Sequence, residues 1–149
     1  MQTFLPFPNF AASAAALDRS RLGKQRVETF QLLRALTLPT YGWKNHPATR
    51  MWRGYVPALT KYGLVMTDAW IDAGFSDTVR PQLIEFAPEV DEIPEQELEK
   101  PTWFGNEALH LSHRSNLIRK NPEHYLPLFP GTPPDLPYVW PVPKDELGP

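Results

Sequence analysis

The apolar residues between positions 55 and 73 recur every three or four positions, and this spacing constrains the fold more than any other feature of the sequence. The stripe consists of Ala58, Tyr62, Val65, Met66, Ala69, Trp70 and Ala73. Side chains at this spacing share one face of an α-helix, and a glycine such as Gly74 commonly ends a helix. The sequence therefore predicts a core helix from about Tyr55 to Ala73.

Two other segments have a helical pattern. The first is predicted to begin after a cap at Asn9 or Ser13 and to end at about Leu36, since asparagine and serine side chains accept hydrogen bonds from the first helical N–H groups. The second spans about Asn106 to Lys120. No segment alternates between apolar and polar residues as a half-buried strand does. We therefore expect an all-α fold built on three helices.

Prolines mark the segments between the predicted helices. Residues 1–10 are expected to be extended, and residues 37–54 and 76–105 are expected to be long loops. Residues 122–149 contain nine prolines, which favours an irregular tail packed on the surface. A chain of 149 residues is the size of one domain with one hydrophobic core. The prediction is a compact three-helix single domain that spans residues 1–149.

Charge is distributed unevenly along the chain, although the net charge is only −2. Residues 19–53 contain eight lysines and arginines against the single carboxylate of Glu28. Residues 85–99 contain seven carboxylates and no cation. Because contacts with phosphates are local, the basic segment indicates a nucleic-acid partner, with DNA preferred. Both segments can also be solvated surface, and we favour that interpretation for the acidic one.

Several classes of protein are excluded by what the sequence lacks. Without cysteine, the chain has no disulfide, no thiol nucleophile and no cysteine-ligated zinc. It has no run of about 18 apolar residues that would span a membrane. Its first residues lack the positive charge of a secretory signal. We therefore expect a cytoplasmic protein that contacts no membrane, and we take it to be a monomer.

The outer face of the first predicted helix carries the first candidate for chemistry. At spacing i, i+3, i+4 and i+7 this face presents Arg21, Lys24, Gln25 and Glu28. A carboxylate among cations can act as a general base, or it can stabilise a cationic, sugar-like transition state. The simpler interpretation of Glu28 is an i,i+4 ion pair with Lys24, which the spacing alone favours.

The connection after this helix is a second candidate. His46 lies in a segment that also contains Trp43, Arg50 and Arg53. Aromatic rings stack on bases and cations contact phosphates, so this composition predicts a nucleic-acid groove. A buried aromatic corner with exposed arginines would have the same composition.

The third predicted helix carries His110, His113 and Arg114. We expect His113, Arg114, Arg119 and Lys120 to contact phosphate. His110 and His113 have the i, i+3 spacing of two metal ligands, which Glu28 or His46 could complete. Because the His-Glu-x-x-His pattern is missing, the prediction is that the protein has no metal site.

Three segments together resemble the phage endonuclease V-type pyrimidine-dimer DNA glycosylases, and a group of small bacterial proteins related to them. The first is Leu17-Asp18-x-x-Arg21-Leu22-x-x-Gln25-Arg26-x-Glu28. The second is Leu59-x-x-Tyr62-x-x-x-Met66-x-x-x-Trp70-x-x-x-Gly74-Phe75. The third runs from Asn106 to Leu117 and continues to Asn121-Pro122-x-x-Tyr125. The segments occur in the family's order, at compatible spacing, over residues 15–130.

The resemblance implies a three-helix fold with no metal and no cofactor. In that family a backbone amine at the N-terminus attacks C1′ of the damaged nucleotide, and the resulting Schiff base allows β-elimination. The family's essential glutamate corresponds to Glu28, and the arginines that grip phosphates correspond to Arg21 and Arg26. The target nucleotide or its partner is flipped out of the stack.

The amine is where the chain departs from the family pattern. The family exposes the amine of a small residue by removing methionine, whereas here Met1 precedes Gln2. Met1 remains one candidate nucleophile, and Lys24, one turn from Glu28, is the other. A monofunctional glycosylase, in which Glu28 directs water at C1′, is the third possibility.

Three functions therefore remain open. The preferred one is a base-excision DNA glycosylase that acts through Glu28 and can also be an abasic-site lyase. The second is a non-catalytic nucleic-acid-binding module of the same fold. The third is an enzyme that hydrolyses the N-glycosidic bond of free nucleosides or nucleotides.

Overall fold

The structure, a computed structural model, describes residues 1–141 and contains only helices and irregular segments in that range. The α-helices are α1 (Phe10–Ala16), α2 (Arg19–Thr37), α3 (Pro47–Arg50), α4 (Val56–Asp72), α5 (Arg80–Ile84), α6 (Glu107–Lys120) and α7 (Pro122–Tyr125). Short 3-10 helices lie at Pro88–Glu92 and Glu95–Glu97. The all-α prediction is confirmed, whereas three helices are too few for residues 1–141.

The first predicted helix is two helices, α1 and α2. Asn9 caps α1, since its side chain accepts from the Ala12 N–H at 2.7 Å. Leu17 and Asp18 then take extended backbone angles. A tertiary contact accompanies the break. The Tyr125 hydroxyl accepts from the Asp18 N–H at 2.8 Å and donates to the Asp18 carboxylate. The local sequence pattern contains no sign of a partner so far along the chain.

The other two predicted helices are confirmed to within a residue. Helix α4 ends before Gly74, whose φ of +95° lies in the left-handed region that favours glycine. Helix α6 begins after Asn106, whose side chain accepts from the N–H groups of Ala108 and Leu109. None of the helices in residues 1–141 is long and apolar enough to cross a bilayer.

Helices α2 and α4 pack closely because two glycines leave room. A Cβ added to Gly63 of α4 would lie 2.7 Å from Thr29 Cγ2. On α2, a Cβ added to Gly23 would lie 3.0 Å from Cζ3 of the Trp70 ring. The glycine inside the polar face of α2 therefore accommodates an indole of α4.

The segments predicted as loops contain the short helices α3, α5 and α7. Each of these helices has a proline in its first turn. Proline is well accommodated there because the N–H groups of the first turn have no partner within the helix. Pro47, Pro81 and Pro122 each stand in such a turn. Interpreting these prolines only as signs of loops was wrong. The tail is irregular from Leu126 to Pro141 apart from turns, and residues 142–149 lie outside the described range.

The N-terminal segment has no regular structure before Phe10, with bends at residues 6–9, and it is buried rather than peripheral. Residues 2–6 are buried. The N–H of Phe4 donates to Gln25 Oε1 at 2.9 Å, and the N–H of Leu5 donates to His113 Nδ1 at 2.9 Å. The carbonyl of Pro6 accepts from Arg114 at 2.7 Å. Side chains of α2 and α6 thus hold the segment on both sides and fix where residue 1 lies.

Candidate active site

A cavity of about 200 Å³ lies between the first residues of the chain and the outer face of α2. Its lining residues are Met1, Gln2, Phe4, Arg21, Lys24, Gln25, Glu28, Lys120 and Tyr138. Among residues 1–141, Glu28 is the only carboxylate in that lining. The cations are the α-amino group of residue 1, Arg21, Lys24 and Lys120. The cavity is therefore strongly basic around one acidic group.

Gln25 links the N-terminal segment to Glu28. Its Oε1 accepts from the Phe4 N–H at 2.9 Å and from the Tyr62 hydroxyl at 2.6 Å, which assigns the orientation of the amide. Its Nε2 donates to Glu28 Oε2 at 2.9 Å. The Gln25 side chain is fully buried. Gln25 was predicted to bind nucleic acid, but its amide atoms are all occupied in holding the site together.

Tyr62 supports the same network from α4. Its hydroxyl shares its hydrogen between Gln25 Oε1 and the Phe4 carbonyl, which lies 2.8 Å away. Burial, with the charge of Glu28, raises the pKa of Tyr62 well above its ordinary value, so the group stays a donor. In the sequence, Tyr62 belongs to the predicted core stripe and to the second family-like segment, and no site role was predicted for it. Its hydroxyl, in an otherwise apolar series, was the only signal of such a role.

The carboxyl of Glu28 is half-buried, and its pKa is raised. Burial is the largest cause and raises the pKa by penalising the charged form. The α-amino group, Lys24, the hydrogen bond from Gln25 and Lys120 act in the opposite direction. A carboxylate with a raised pKa is a better proton acceptor than one in water.

The α-amino group and His46 are also electrostatically linked. Burial and the positive charge of the amine both lower the pKa of His46. His46 caps α3, since its Nδ1 accepts from the Ala48 N–H at 3.0 Å. The amine of residue 1 thus lies within electrostatic reach of both Glu28 and His46, although His46 does not line the Glu28 cavity.

His113 and Arg114 face the N-terminal segment and do not line the cavity. The His113 ring is fully buried, and burial lowers its pKa to about 3. A neutral, buried imidazole offers a phosphate neither charge nor surface. Arg114 donates to the Pro6 carbonyl and pairs with Glu107. We therefore leave both residues out of the proposed DNA contacts.

Arg26 points away from the cavity. It pairs with Asp77, whose side chain is 2% exposed, and its guanidinium stands 4.4 Å from the Trp70 ring centroid. The position after Gln25 is turned about 100° around the helix from the cavity face. Arg50 and Arg53 lie elsewhere again, lining a separate cavity of about 190 Å³. Among the predicted arginines, only Arg21 lines the Glu28 cavity.

A second, more open cleft of about 930 Å³ also borders Glu28. Glu28 and Lys24 line both the cleft and the cavity. The remaining cleft residues are Asp18, Arg19, Ser20, Gly23, Val27, Gln31, Trp70 and Asn121. A large molecule lying in the cleft can therefore reach the carboxylate.

Two lining residues of the cavity come from parts of the chain far from α2. Lys120 ends α6, and Tyr138 comes from the Pro-rich tail. Neither shares a helix with Glu28, so no spacing in the sequence connects them to it. Only the tertiary fold, in which α6 and the tail contact the N-terminal segment, brings them there.

Fold and site together define an all-α protein in which an amine, a carboxylate and several cations surround one cavity. The sequence model of the family described as pyrimidine dimer DNA glycosylase matches residues 1–81. That match covers more than half of the 149 residues, and the chain belongs to this family of DNA-acting enzymes. No curated protein and no solved structure matches the chain. The matched part includes every cavity residue except Lys120 and Tyr138.

Proposed function

We propose that the protein is a base-excision DNA glycosylase whose catalytic groups are Glu28 and the amine of residue 1. The observation that carries the proposal is the cavity itself, in which a carboxylate with a raised pKa lies within electrostatic reach of an α-amino group. Membership of the family supports DNA as the substrate and glycosylase chemistry as the reaction. Pyrimidine dimers are the first lesion to test.

Base release begins with the amine. The nitrogen lone pair of the neutral amine forms a bond to C1′ of the damaged nucleotide, and the N-glycosidic bond breaks. The base leaves with the bonding electron pair and takes up a proton. Glu28 accepts the proton that the amine loses, and its negative charge stabilises the positive charge on the sugar. Gln25 keeps the carboxylate oriented for both roles.

Strand cleavage follows from the same covalent intermediate. The sugar ring opens when O4′ leaves C1′ and takes the proton that Glu28 accepted from the amine, which produces a positively charged Schiff base and returns Glu28 to its carboxylate form. The Schiff base acidifies the C2′ proton. Glu28 removes that proton, and the 3′ phosphate leaves with the electrons of the C3′–O bond. The enzyme is then both a glycosylase and an abasic-site lyase.

The cations at the cavity hold the DNA backbone. Arg21 is oriented by its ion pair with Asp18, whose carboxylate lies 3.1 Å away. Lys24 and Lys120 are exposed, so their ammonium groups can reach phosphates on either side of the target nucleotide. A cavity of about 200 Å³ requires the nucleotide to leave the base stack.

Borohydride trapping tests the proposal, because borohydride reduces a Schiff base to a stable amine. The purified protein is incubated with labelled duplexes that carry a thymine dimer, an abasic site, uracil or no lesion. Base release and strand breaks are measured in parallel. We expect a covalent adduct with the dimer and abasic-site duplexes, and none with the Glu28→Gln variant.

Two other results would point to different functions. Base release without an adduct indicates that Glu28 activates water. No reaction with any duplex would contradict the proposal and favour a binding module or an enzyme of free nucleosides. Those two are separated by salt, since binding to DNA weakens steeply as salt rises, whereas a reaction of free nucleosides does not.

A further inference from the structure

Four aromatic rings form a continuous row from the solvent to the Glu28 cavity. Centroid distances are 5.6 Å from Trp43 to His46, 6.1 Å from His46 to Trp140 and 5.6 Å from Trp140 to Tyr138. Tyr138 lines the cavity, and Trp43, at the other end, is 51% exposed. The row thus connects a solvent-facing indole with the site of chemistry.

Trp43 is held outward by its backbone. Its φ of +69° lies in the left-handed region, which no other non-glycine residue among positions 1–141 adopts. The conformation is fixed because the Trp43 carbonyl accepts from the Thr49 hydroxyl at 2.7 Å and from the His46 N–H at 3.1 Å. A bulky residue in this region is unfavourable unless its surroundings enforce it. The fold therefore holds an unfavourable backbone conformation at a residue whose ring is exposed to solvent.

The tail that supplies Trp140 and Tyr138 is fixed on one face of α6. Ser112 Oγ accepts from the Val139 N–H at 3.1 Å. Ser115 Oγ accepts from the Leu136 N–H at 2.9 Å, and the Leu136 carbonyl accepts from Arg119 at 2.8 Å. These three α6 side chains stand at i, i+3 and i+7, so they share one helical face. The inner part of the row is thereby part of the fold.

The charge around Trp43 fits a DNA strand. Lys44, Arg50 and Arg53 are its neighbours in the chain, and residues 41–53 contain no carboxylate side chain. Arg53 donates to the Lys44 carbonyl at 3.4 Å, which keeps these cations together. Proteins that bind single strands combine such cations with aromatic rings on which bases stack.

We propose that the exposed face of Trp43 stacks on an unpaired base of the DNA strand whose target nucleotide occupies the Glu28 cavity. The proposal rests on the proposed function, because extruding one nucleotide leaves neighbouring bases partly unstacked. His46, Trp140 and Tyr138 form the wall along which the strand runs between the two places. The row of aromatic rings is thus a second DNA-binding surface, separate from the catalytic groups.

The test compares binding of two labelled strands of about twelve nucleotides by fluorescence anisotropy, a length near the usual site size of such proteins. One is an oligothymidylate, and the other has the same phosphates but carries no bases. Trp43→Ala should weaken binding of the oligothymidylate about 5- to 150-fold, the range for one stacking aromatic. It should leave binding of the base-free strand unchanged. Trp43→Phe, which keeps a ring, should retain most of the affinity.

Leu126→Ala is the matched control, because Leu126 is also 51% exposed but lies outside the row. It should bind both strands as the wild type does. Equal losses on both strands in Trp43→Ala, or a loss no larger than that of Leu126→Ala, would overturn the proposal. Repeating the comparison in Glu28→Gln separates the two claims. If the wild type forms no trapped adduct but the Trp43 effect persists in both backgrounds, the glycosylase proposal fails and the stacking surface stands.

Discussion

Replacing Tyr62 with phenylalanine removes one buried oxygen and tests how the amine is positioned. In the native protein the Tyr62 hydroxyl donates to the Phe4 carbonyl and to Gln25 Oε1. Without it, the Phe4 carbonyl loses this donor in a place that water does not reach. A lost neutral hydrogen bond that leaves a buried acceptor unpaired costs about 1–3 kcal/mol. The midpoint of about 2 kcal/mol would lower Tm by about 4–8 °C in a protein of this size.

The same substitution should slow adduct formation, because Phe4 and Gln25 position residue 1 and Glu28. A displacement of the reacting groups by about 1 Å commonly costs a factor of about 100 in rate, so a tenfold or larger loss is expected. Urea unfolding measures the stability, and single-turnover borohydride trapping measures the rate. Tyr55→Phe, a half-buried tyrosine at the start of α4, is the control.

Two results would refute this reasoning. The first is an unfolding free energy for Tyr62→Phe that equals that of Tyr55→Phe, which would mean that the hydroxyl satisfies no buried group. The second is a loss of stability with an unchanged trapping rate. In that case the hydrogen bonds of Phe4 would stabilise the core without positioning the amine.

Three further predictions concern charge and packing. The raised pKa of Glu28 favours its protonated form in the folded state, so stability from this group is lost as pH rises through that pKa. The unfolding free energy of Glu28→Gln at pH 7 should therefore be no lower than that of the wild type, and the wild-type trapping rate should rise with pH through a pKa above the ordinary value of a glutamate. The pKa of His113 is lowered from 6.5 to about 3, so its contribution is present above pH 6.5 and is lost as pH falls towards 3; in His113→Asn, urea unfolding should show a weaker pH dependence in this window, and an unchanged dependence would contradict the burial of the ring. Gly63→Ala places a Cβ 2.7 Å from Thr29 and should cost about 1–3 kcal/mol of unfolding free energy, whereas Gly42→Ala, with open space around it, should cost far less; equal effects would argue against close contact of α2 with α4.

The sequence predicted the long helices well because their signals are local. The apolar stripe, Gly74 and the Asn106 cap lie within the elements that they define. The break at Asp18 was missed because its partner, Tyr125, is a tertiary contact. The short helices α3 and α5 were missed because their prolines begin turns as readily as they interrupt helices.

The candidate site was predictable only where it lies on one helix. The spacing of Arg21, Lys24, Gln25 and Glu28 predicted a shared face, and that face lines the cavity. Periodicity does not distinguish a side chain that faces a substrate from one that holds the backbone, so Gln25 and His113 were both assigned to nucleic acid. Lys120 and Tyr138 reach the cavity only through tertiary packing, which no local pattern encodes.

The most direct test of the central claim is to identify the residue that carries the trapped DNA. The borohydride-reduced adduct is digested, and the modified peptide is sequenced by mass spectrometry. A modification on the α-nitrogen at the start of the chain, lost in Glu28→Gln and retained in Lys24→Gln, is the predicted result. A modification on Lys24, or on any other side chain, would contradict the assignment of the amine beside Glu28 as the nucleophile.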